Sequence, residues 1–492
     1  MVEADHLRAR ISAWLGPLLA LGVWLLPLPL GDEAHRLAAV MMLVITWWIG
    51  EPIPPAATAL LGPTLALLVG AVPLPEGARA SEAVQLAYRG FGDPVLMLFM
   101  GGFFIAEALT VHGLDRRFAM RVLSYPAVGG SPARVVIGLG LVSCVLSMWV
   151  SNTATTALLI PIAKGILDLA RSRGGAAQGR DFSAACMLML PFAATVGGLA
   201  TPVGTAPNLI AIGRLSAGGT EIGFLRWMSL ALPLVLVMML ALCWLLTRGL
   251  SRKGGGFDQH AREQLARMGP WGRGEKVTML AFGLAVAGWL GTGAVQLFDW
   301  PAAQEWLKGH LSEGGIGLLA ASLLFLLRTE GGRPALTWSE ATRIDWGTLL
   351  LLGGGLSLGE LVQRSGLAEA IGTGVVSGLG ISSLWALVAV SAFLAIALSE
   401  LSSNTATATL LVPTVIGIAE RAGVSPLPPA LAATIGCSFG FMLPISTPPN
   451  ALAYGTGLVP ITTMVRRGVV FDLIGLVLIV VGMRLLWPLV GW

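Results

Sequence analysis

The tripeptide Ser-Asn-Thr occurs twice within long apolar runs, at residues 151–153 and 403–405, and each copy begins a longer match between residues 151–161 and 403–413. Amides and hydroxyls at membrane depth are costly unless they bind partners, so residues of this kind indicate a functional site. We predict that the two tripeptides together hold a small anion and the cations that travel with it.

Two sets of uncharged oxygen atoms accompany these tripeptides. Hydroxyls, amide oxygens and free backbone carbonyls are the hard ligands that alkali cations use. The first set consists of Ser147, Ser151, Asn152 and the carbonyl of Gly204, and the second of Ser399, Ser402, Asn404 and the carbonyl of Ser446. An anion held beside such cations needs no fixed positive charge, because the cations supply the countercharge only when the anion is bound.

Interrupted helices must position these residues. A hairpin whose tip lies at the bilayer centre exposes the N-terminus of its second helix, where free N–H groups and the helix dipole attract anions. Proline and glycine in residues 201–205 and 443–448 predict breaks in two further helices.

Composition places these elements in a membrane. Hydrophobic residues make up 55% of the 492 residues and charged residues only 12%, with a mean hydropathy of +0.78. This excludes an ordinary soluble protein and predicts an all-α polytopic membrane protein. The net charge of +4 arises from basic residues in short loops, which is a topology pattern and not a nucleic-acid surface. The four cysteines lack metal-ligand spacing, and a disulfide framework is not expected.

Apolar stretches of about 20 residues predict spans, and shorter ones suffice where protein shields a helix. We predict eleven spans, at residues 13–30, 37–50, 55–72, 94–112, 184–213, 228–248, 277–297, 315–328, 347–363, 429–458 and 468–488. The stretches 133–163 and 383–419 are each long enough to enter the membrane and return, so they predict re-entrant hairpins. Most of the 31 lysines and arginines then lie on one side, which places the N-terminus in the cytoplasm and the C-terminus outside.

The repeat extends beyond the tripeptides. The Gly-Gly pair and glutamate of residues 101–107 recur at residues 354–360, and the Thr-x-Pro-Asn of residues 205–208 recurs at residues 447–450. The predicted topology gives the two copies opposite orientations. An inverted repeat with interrupted helices is typical of secondary transporters that bind substrate between the halves.

The chain is therefore divided into four parts. They are N-terminal scaffold helices (1–90), a first repeat (91–250), a basic cytoplasmic loop with connecting scaffold helices (251–345) and a second repeat (346–492). Each repeat contains a helix, a hairpin and a broken helix, which is 184–213 in the first repeat and 429–458 in the second.

Ionisable residues in the predicted spans leave alternatives open. Glu107 and Glu360 can carry protons or stabilise the Gly-rich segments, and the structural role is favoured. Glu400, one turn before Asn404, fits a cation or proton ligand and a hydrogen-bonding role behind the site equally well. His112 lies near a membrane face, which argues against a histidine proton relay.

At these residues the sequence resembles the divalent anion/sodium symporter family, the Na⁺-coupled carriers of dicarboxylates, citrate and sulfate. Residues 147–156 are similar to the family's first hairpin tip, residues 399–405 to its second tip, and residues 438–450 to its C-terminal signature. Ala453 stands where an aliphatic valine is usual. The likeness spans roughly residues 35–490.

The resemblance implies a homodimer joined through a scaffold domain, and a transport domain that carries both hairpins across the membrane as an elevator. It implies two or more Na⁺ sites, formed by the two oxygen sets above. The substrate-binding residues that it implies are Asn152, Thr153, Thr205, Ser403, Asn404, Thr405, Thr447 and Pro448.

The favoured function is Na⁺-coupled uptake of a C4-dicarboxylate such as succinate, malate or fumarate across the plasma membrane, which is expected to be a bacterial inner membrane. Two like tips that face each other suit a substrate with a carboxylate at each end. The alternatives within this fold are a Na⁺-independent dicarboxylate exchanger and a sulfate or citrate carrier. An enzyme is disfavoured, because the sequence offers no His-Glu-x-x-His, no Gly-x-Ser-x-Gly with a His partner and no aspartate pair at membrane depth.

Overall fold

The structure is a computed structural model that describes residues 2–74, 79–172, 180–251, 257–297, 300–371 and 383–488. Part of the predicted basic loop, residues 252–256, and the C-terminal end, residues 489–492, lie outside the described residues. Within the described ranges the regular structure is helical, with one isolated β-bridge between Arg328 and Pro334. The predicted all-α fold class is confirmed.

The helices follow one another with short connections. Those of the first half are α1 (Val2–Leu25), α2 (Asp32–Gly50), α3 (Pro55–Leu68), α4 (Ala80–Ala87), α5 (Pro94–Val111), α6 (Leu114–Leu123), α7 (Pro126–Gly129), α8 (Pro132–Ser147), α9 (Asn152–Ser172), α10 (Arg180–Gly198), α11 (Ala206–Ala217) and α12 (Phe224–Thr247). Those of the second half are α13 (Phe257–Arg267), α14 (Arg273–Leu297), α15 (Pro301–His310), α16 (Glu313–Leu326), α17 (Trp338–Ala341), α18 (Trp346–Arg364), α19 (Leu384–Leu401), α20 (Asn404–Arg421), α21 (Leu427–Cys437), α22 (Pro448–Gly455) and α23 (Ile461–Leu486).

Seven helices in the described part of the chain are long and apolar enough to cross a membrane: α5, α9, α10, α12, α14, α19 and α23. Four shorter apolar helices are α3, α8, α16 and α21. Two of the seven, α9 and α19, are arms of the predicted hairpins. They are among the seven because length and apolarity alone do not distinguish a spanning helix from a hairpin arm. The chain is a multi-pass membrane protein.

Both predicted hairpins are present as pairs of packed helices. The first consists of α8 and α9 with a turn at residues 148–151, and the second consists of α19 and α20 with a turn at residues 402–403. The first hairpin extends to Ser172 instead of residue 163. Both predicted helix breaks also occur, at residues 199–205 between α10 and α11 and at residues 438–447 between α21 and α22.

The two halves interlock around these breaks. The first arm of each hairpin packs on the broken helix of its own half, α8 on α10 and α19 on α21. The second arm packs on the short helix of the other half, so that α9 contacts α22 and α20 contacts α11. This exchange brings both hairpin turns to one place.

Several short helices between the spans were not predicted. They are α4, α6, α7, α13, α15 and α17, which are too short or too polar for a hydropathy pattern to find them. On one face α6 packs on α13, and Arg117 of α6 forms a buried ion pair with Glu275, with 2.5 Å between Nε and Oε1. Arg117 also donates to the Gly269 carbonyl at 2.8 Å. The predicted basic loop is therefore, in its described part, a packed layer.

Candidate functional site

Four helices begin at one interior cavity. Asn152 is the first residue of α9 and Asn404 the first of α20, while Thr205 and Thr447 precede the first turns of α11 and α22 as N-caps. The cavity has a volume of about 940 Å³. Free N–H groups at the starts of α9, α11 and α20 and the positive ends of four helix dipoles therefore converge on it, which favours an anion. The start of α22 contributes only its dipole, because Pro448 and Pro449 have no N–H.

All the predicted substrate-binding residues line this cavity, and so do most of the predicted cation ligands. The lining includes Ser151, Asn152, Thr153, Gly204, Thr205, Ser402, Ser403, Asn404, Thr405, Ser446, Thr447 and Pro448. Residues 250 positions apart in the chain thus share one site. The side chains of both asparagines are half-buried at its wall.

The two remaining predicted ligands, Ser147 and Ser399, lie behind the hairpin turns and are fully buried. The Ser147 hydroxyl lies 2.6 Å from the Asn152 Oδ1, and the Ser399 hydroxyl lies 2.7 Å from the Asn404 Oδ1. The same contact therefore occurs in both halves. Each asparagine has its amide oxygen directed toward a buried hydroxyl, away from the anion-favouring helix ends.

The first oxygen set meets beside Gly198, a residue that the sequence analysis did not identify. A methyl group built at Gly198 would lie 2.6 Å from the Asn152 Oδ1 and 3.1 Å from the Gly204 carbonyl oxygen. These two oxygens therefore face the same space beside Gly198, and the Ser147 hydroxyl lies next to one of them. The Gly-Gly pair at residues 197–198, just before the break, is the sequence pattern that could have identified Gly198.

In the second oxygen set, the hydroxyls of Ser446 and Ser399 are each held by a backbone carbonyl. The Ser446 hydroxyl lies 2.9 Å from the Glu400 carbonyl oxygen, and the Ser399 hydroxyl lies 2.6 Å from the Cys437 carbonyl oxygen. Gly440 takes the position that Gly198 has in the first half. A methyl group there would lie 3.1 Å from the Ser446 Cβ and 3.4 Å from the Ser399 carbonyl oxygen.

Two other predicted ligands have hydrogen-bond partners in the hairpin turns. The Ser151 hydroxyl accepts from the Ala154 N–H at 3.2 Å, and the Ser402 hydroxyl lies 2.9 Å from the Thr407 hydroxyl. Both hydroxyls retain a lone pair beyond these contacts.

The asparagines of the Thr-x-Pro-Asn repeat hold the helix breaks in shape. Asn208 donates from Nδ2 to the carbonyls of Gly198 at 2.9 Å and Thr201 at 2.8 Å. Asn450 donates to the carbonyls of Gly440 at 2.6 Å and Leu443 at 3.2 Å. The repeat therefore fixes the backbone carbonyls of both breaks.

Glu400 contacts the second break instead of the cavity. Its carboxylate accepts from the N–H groups of Met442 at 2.8 Å and Leu443 at 3.3 Å and from the Ser446 hydroxyl at 2.6 Å. The side chain is 2% exposed. These contacts match the hydrogen-bonding role behind the site that the sequence analysis left open.

The other ionisable residues considered in the sequence analysis, Glu107, Glu360 and His112, do not line the cavity. Glu360 pairs with Arg89 at 3.2 Å and with Arg364 at 2.7 Å, which matches the structural role predicted for it. His112 contacts the Ala335 carbonyl at 2.7 Å on the face that carries α17. Glu107 is partly buried and does not line the cavity.

An interior cavity between paired interrupted helices defines the protein as a membrane transporter and not an enzyme. The chain belongs to the family described as sodium:sulfate symporter transmembrane region, whose sequence model matches residues 11–492. The predicted membership in the divalent anion/sodium symporters is confirmed.

Known relatives cover nearly the whole chain. The sodium-dependent dicarboxylate transporter SdcS of Staphylococcus saprophyticus is 34% identical over 490 residues, which cover 96% of this chain and 90% of that protein. SdcS of Staphylococcus aureus is 32% identical over 495 residues, covering 98% of this chain and 91% of that protein.

Solved structures with the same fold are more distant in sequence. The YdaH transporter of Alcanivorax borkumensis has a TM-score of 0.54 at 16% identity, and the match covers 94% of this chain and 99% of that one. MtrF of Neisseria gonorrhoeae has a TM-score of 0.54 at 14% identity, with 90% and 96% covered. At such identities the likeness shows the fold alone.

Proposed function

We propose that this protein couples the inward movement of Na⁺ to the uptake of a C4-dicarboxylate of the succinate, malate and fumarate class. One observation carries the proposal: four helix N-termini and most members of two sets of uncharged oxygens line a single cavity. The relatives named as sodium-dependent dicarboxylate transporters support the same substrate and coupling ion.

The two hairpin turns suit the two ends of a dicarboxylate. Asn152 and Thr153 begin one helix, and Asn404 and Thr405 begin the other. Each turn offers one carboxylate a set of backbone N–H groups, a hydroxyl and an amide N–H. A substrate with one anionic end would use only half of this arrangement.

Each asparagine links the anion to a cation. Its Oδ1 belongs to the oxygen set behind the turn, while its amide nitrogen retains an N–H for the carboxylate. A bound Na⁺ therefore orients the amide and neutralises part of the anion's charge at the same time. This shared residue is the physical basis that we propose for coupling, with one or more Na⁺ in each half.

We further propose that the two repeats are inverted. Gly90 donates to the Ser357 hydroxyl at 3.1 Å, and Arg89 pairs with Glu360 at 3.2 Å. Arg89 and Gly90 precede α5, whereas Ser357 and Glu360 lie in the second half of α18. The residues before α5 thus lie beside the end of α18, as expected if these equivalent helices run in opposite directions, and this supports the inversion.

An elevator movement would slide the hairpins and broken helices past a scaffold that includes α1, α2, α3, α5 and α18. This proposal also includes a homodimer and an inner-membrane location with a cytoplasmic N-terminus. It keeps the division into residues 1–90, 91–250, 251–345 and 346–492. A contact that must break is that of Arg214 on α11, which is 6% exposed and donates to the Leu356 carbonyl at 2.9 Å and to the Gly355 carbonyl.

Uptake of labelled succinate into proteoliposomes tests the function. We expect accumulation with an inward Na⁺ gradient and its loss when K⁺ replaces Na⁺. Accumulation that persists in K⁺ and requires internal dicarboxylate would instead establish an exchanger. Uptake of sulfate or citrate in place of dicarboxylates would change the substrate class and not the coupling.

Thr205→Ala and Thr447→Ala are each expected to raise the half-saturation concentration for dicarboxylate roughly tenfold, because each removes a hydroxyl donor to a charged group. The half-saturation concentration for Na⁺ should change much less, since neither hydroxyl belongs to an oxygen set. Initial uptake rates at varied substrate and varied Na⁺ measure both. Thr456→Ala is a matched control, because its hydroxyl donates to the Ala453 carbonyl outside the cavity. A larger effect on Na⁺ than on substrate would contradict the assignment.

Glu400→Gln is expected to raise the half-saturation concentration for Na⁺ roughly tenfold, because an amide cannot accept from two N–H groups and the Ser446 hydroxyl together. Dicarboxylate affinity at saturating Na⁺ should be nearly unchanged. Glu420→Gln makes the same charge change at an exposed position and serves as the control. An unaltered Na⁺ dependence in Glu400→Gln would show that the second oxygen set does not depend on this carboxylate.

A further inference from the structure

We propose that Arg8 on α1 is a fixed cationic residue that draws the anionic substrate to the cavity from one side of the membrane only. The inference rests on the proposed function and extends it to a residue outside both repeats. It predicts a side-specific contribution to substrate affinity.

Arg8 lines the same cavity as the hairpin turns and is the one cation among the described residues that do so. The other ionisable residues in the lining are Glu51 and Asp345. The Asp345 carboxylate is occupied as the N-cap of α18, where it accepts from the Thr348 N–H at 3.0 Å.

The side chain of Arg8 is half-buried, and its Nε is buried without a hydrogen-bond partner among the described residues. A buried guanidinium N–H without an acceptor is costly. A carboxylate that enters the cavity is the kind of group that satisfies it. Arg10, two residues further on, is exposed and does not line the cavity.

Arg8 lies on a helix that does not travel with the hairpins in the proposed mechanism. The main packing partner of α1 is α2, and the hairpin helices do not contribute to its principal contacts. Arg8 can therefore face the anion in one state of the transporter and not in the other.

This location resolves a difficulty for a fixed cation in a symporter. On the moving hairpins, an arginine would remain as an uncompensated charge when the empty site crosses the membrane. On the scaffold it never crosses. It can thus add attraction for the anion without opposing the return of the empty transporter.

The ends of spanning helices, which lie toward a membrane face, line the cavity together with Arg8. The lining includes Gly50 and Glu51 at the end of α2, Pro55 at the start of α3 and Gly347 at the start of α18. The substrate passes Arg8 on its way between the hairpin turns and this face. An attractive charge at the mouth of a cavity raises the local concentration of an oppositely charged ligand, and salt screens the effect.

The test compares Arg8→Gln with Arg10→Gln and Arg8→Lys in two preparations, right-side-out cells and inverted membrane vesicles. Protease accessibility of an N-terminal tag identifies the preparation that exposes residue 8. From that side we expect Arg8→Gln to raise the half-saturation concentration for succinate about threefold at low ionic strength, with a smaller rise at high ionic strength. From the opposite side it should be unchanged. Arg8→Lys keeps the charge but not the guanidinium, so from the exposed side it should fall between the wild type and Arg8→Gln. Arg10→Gln should resemble the wild type on both sides.

Two results would overturn the inference while the wild type still transports. One is an Arg8→Gln variant that matches Arg10→Gln on both sides. The other is an equal change on both sides together with a lower melting temperature, which would show that Arg8 only stabilises its surroundings near Glu51. Absence of Na⁺-dependent succinate transport in the wild type would overturn the proposed function itself, so the two failures are distinguishable.

Discussion

Asn152→Ala and Asn404→Ala are each expected to lower Na⁺-dependent dicarboxylate uptake by about two orders of magnitude or more, because each removes a donor to the anion and an oxygen ligand of the cation. Asn152→Ala would also remove the acceptor that lies 2.6 Å from the Ser147 hydroxyl. In Asn404→Ala the Ser399 hydroxyl would keep the Cys437 carbonyl as an acceptor, at 2.6 Å. Initial rates of succinate uptake in proteoliposomes measure the loss.

The Asn152→Asp variant separates the two roles of this side chain. A carboxylate keeps an oxygen in the cation set but repels the anion and lacks the amide N–H. We therefore expect Na⁺ to raise the melting temperature of the purified Asn152→Asp protein, whereas succinate adds no further stabilisation. In Asn152→Ala the stabilisation by Na⁺ should be smaller than in Asn152→Asp, because only the second oxygen set remains, and succinate should add none. Full Na⁺-dependent uptake by either alanine variant would refute the site assignment.

Gly198→Ala is expected to reduce Na⁺-dependent uptake about 10- to 100-fold, because the added methyl group occupies the space in which the first oxygen set meets. Its Cβ would lie 2.6 Å from the Asn152 Oδ1 and 3.1 Å from the Gly204 carbonyl oxygen. Either the amide turns away or the break between α10 and α11 moves, and both outcomes disperse the ligands. We expect the main change to be a higher half-saturation concentration for Na⁺, with a smaller fall in the maximal rate at saturating Na⁺.

Two other glycines serve as comparisons for Gly198. Gly165 on α9 has open space around its Cα, so Gly165→Ala should leave uptake unchanged. Gly440 is the counterpart in the second half, but its nearest neighbours would be 3.1 to 3.4 Å from the new methyl group. Gly440→Ala should therefore have a smaller effect. A Gly198→Ala protein with normal Na⁺ dependence would show that no cation binds at this oxygen set.

Much of the site could be predicted because burying its polar residues within apolar segments costs free energy. Polar Ser-Asn-Thr residues inside apolar stretches are costly at membrane depth and therefore indicate a function there. Clusters of proline and glycine mark the helix breaks at residues 199–205 and 438–447. Both kinds of evidence are local, so a single sequence contains them. They were enough to predict two hairpin turns near the Ser-Asn-Thr residues. The observed turns, at residues 148–151 and 402–403, adjoin residues that line the cavity.

Contacts between distant segments required the tertiary structure. No pattern in the sequence indicates that Gly198 leaves room for the Asn152 oxygen, or that Glu400 binds the backbone of residues 442 and 443. Arg8 has the appearance of a loop charge near the N-terminus, yet it lines the same cavity as residues 403–405.

The sequence by itself determined which segments lie in the membrane, where helices are interrupted and which polar residues must be satisfied there, because burial in hydrocarbon penalises each polar group individually. Only the tertiary structure decided which of these groups satisfy one another. That choice depends on how α9, α11, α20 and α22 cross between the two halves, and packing of this kind is set by the whole chain and not by any one stretch.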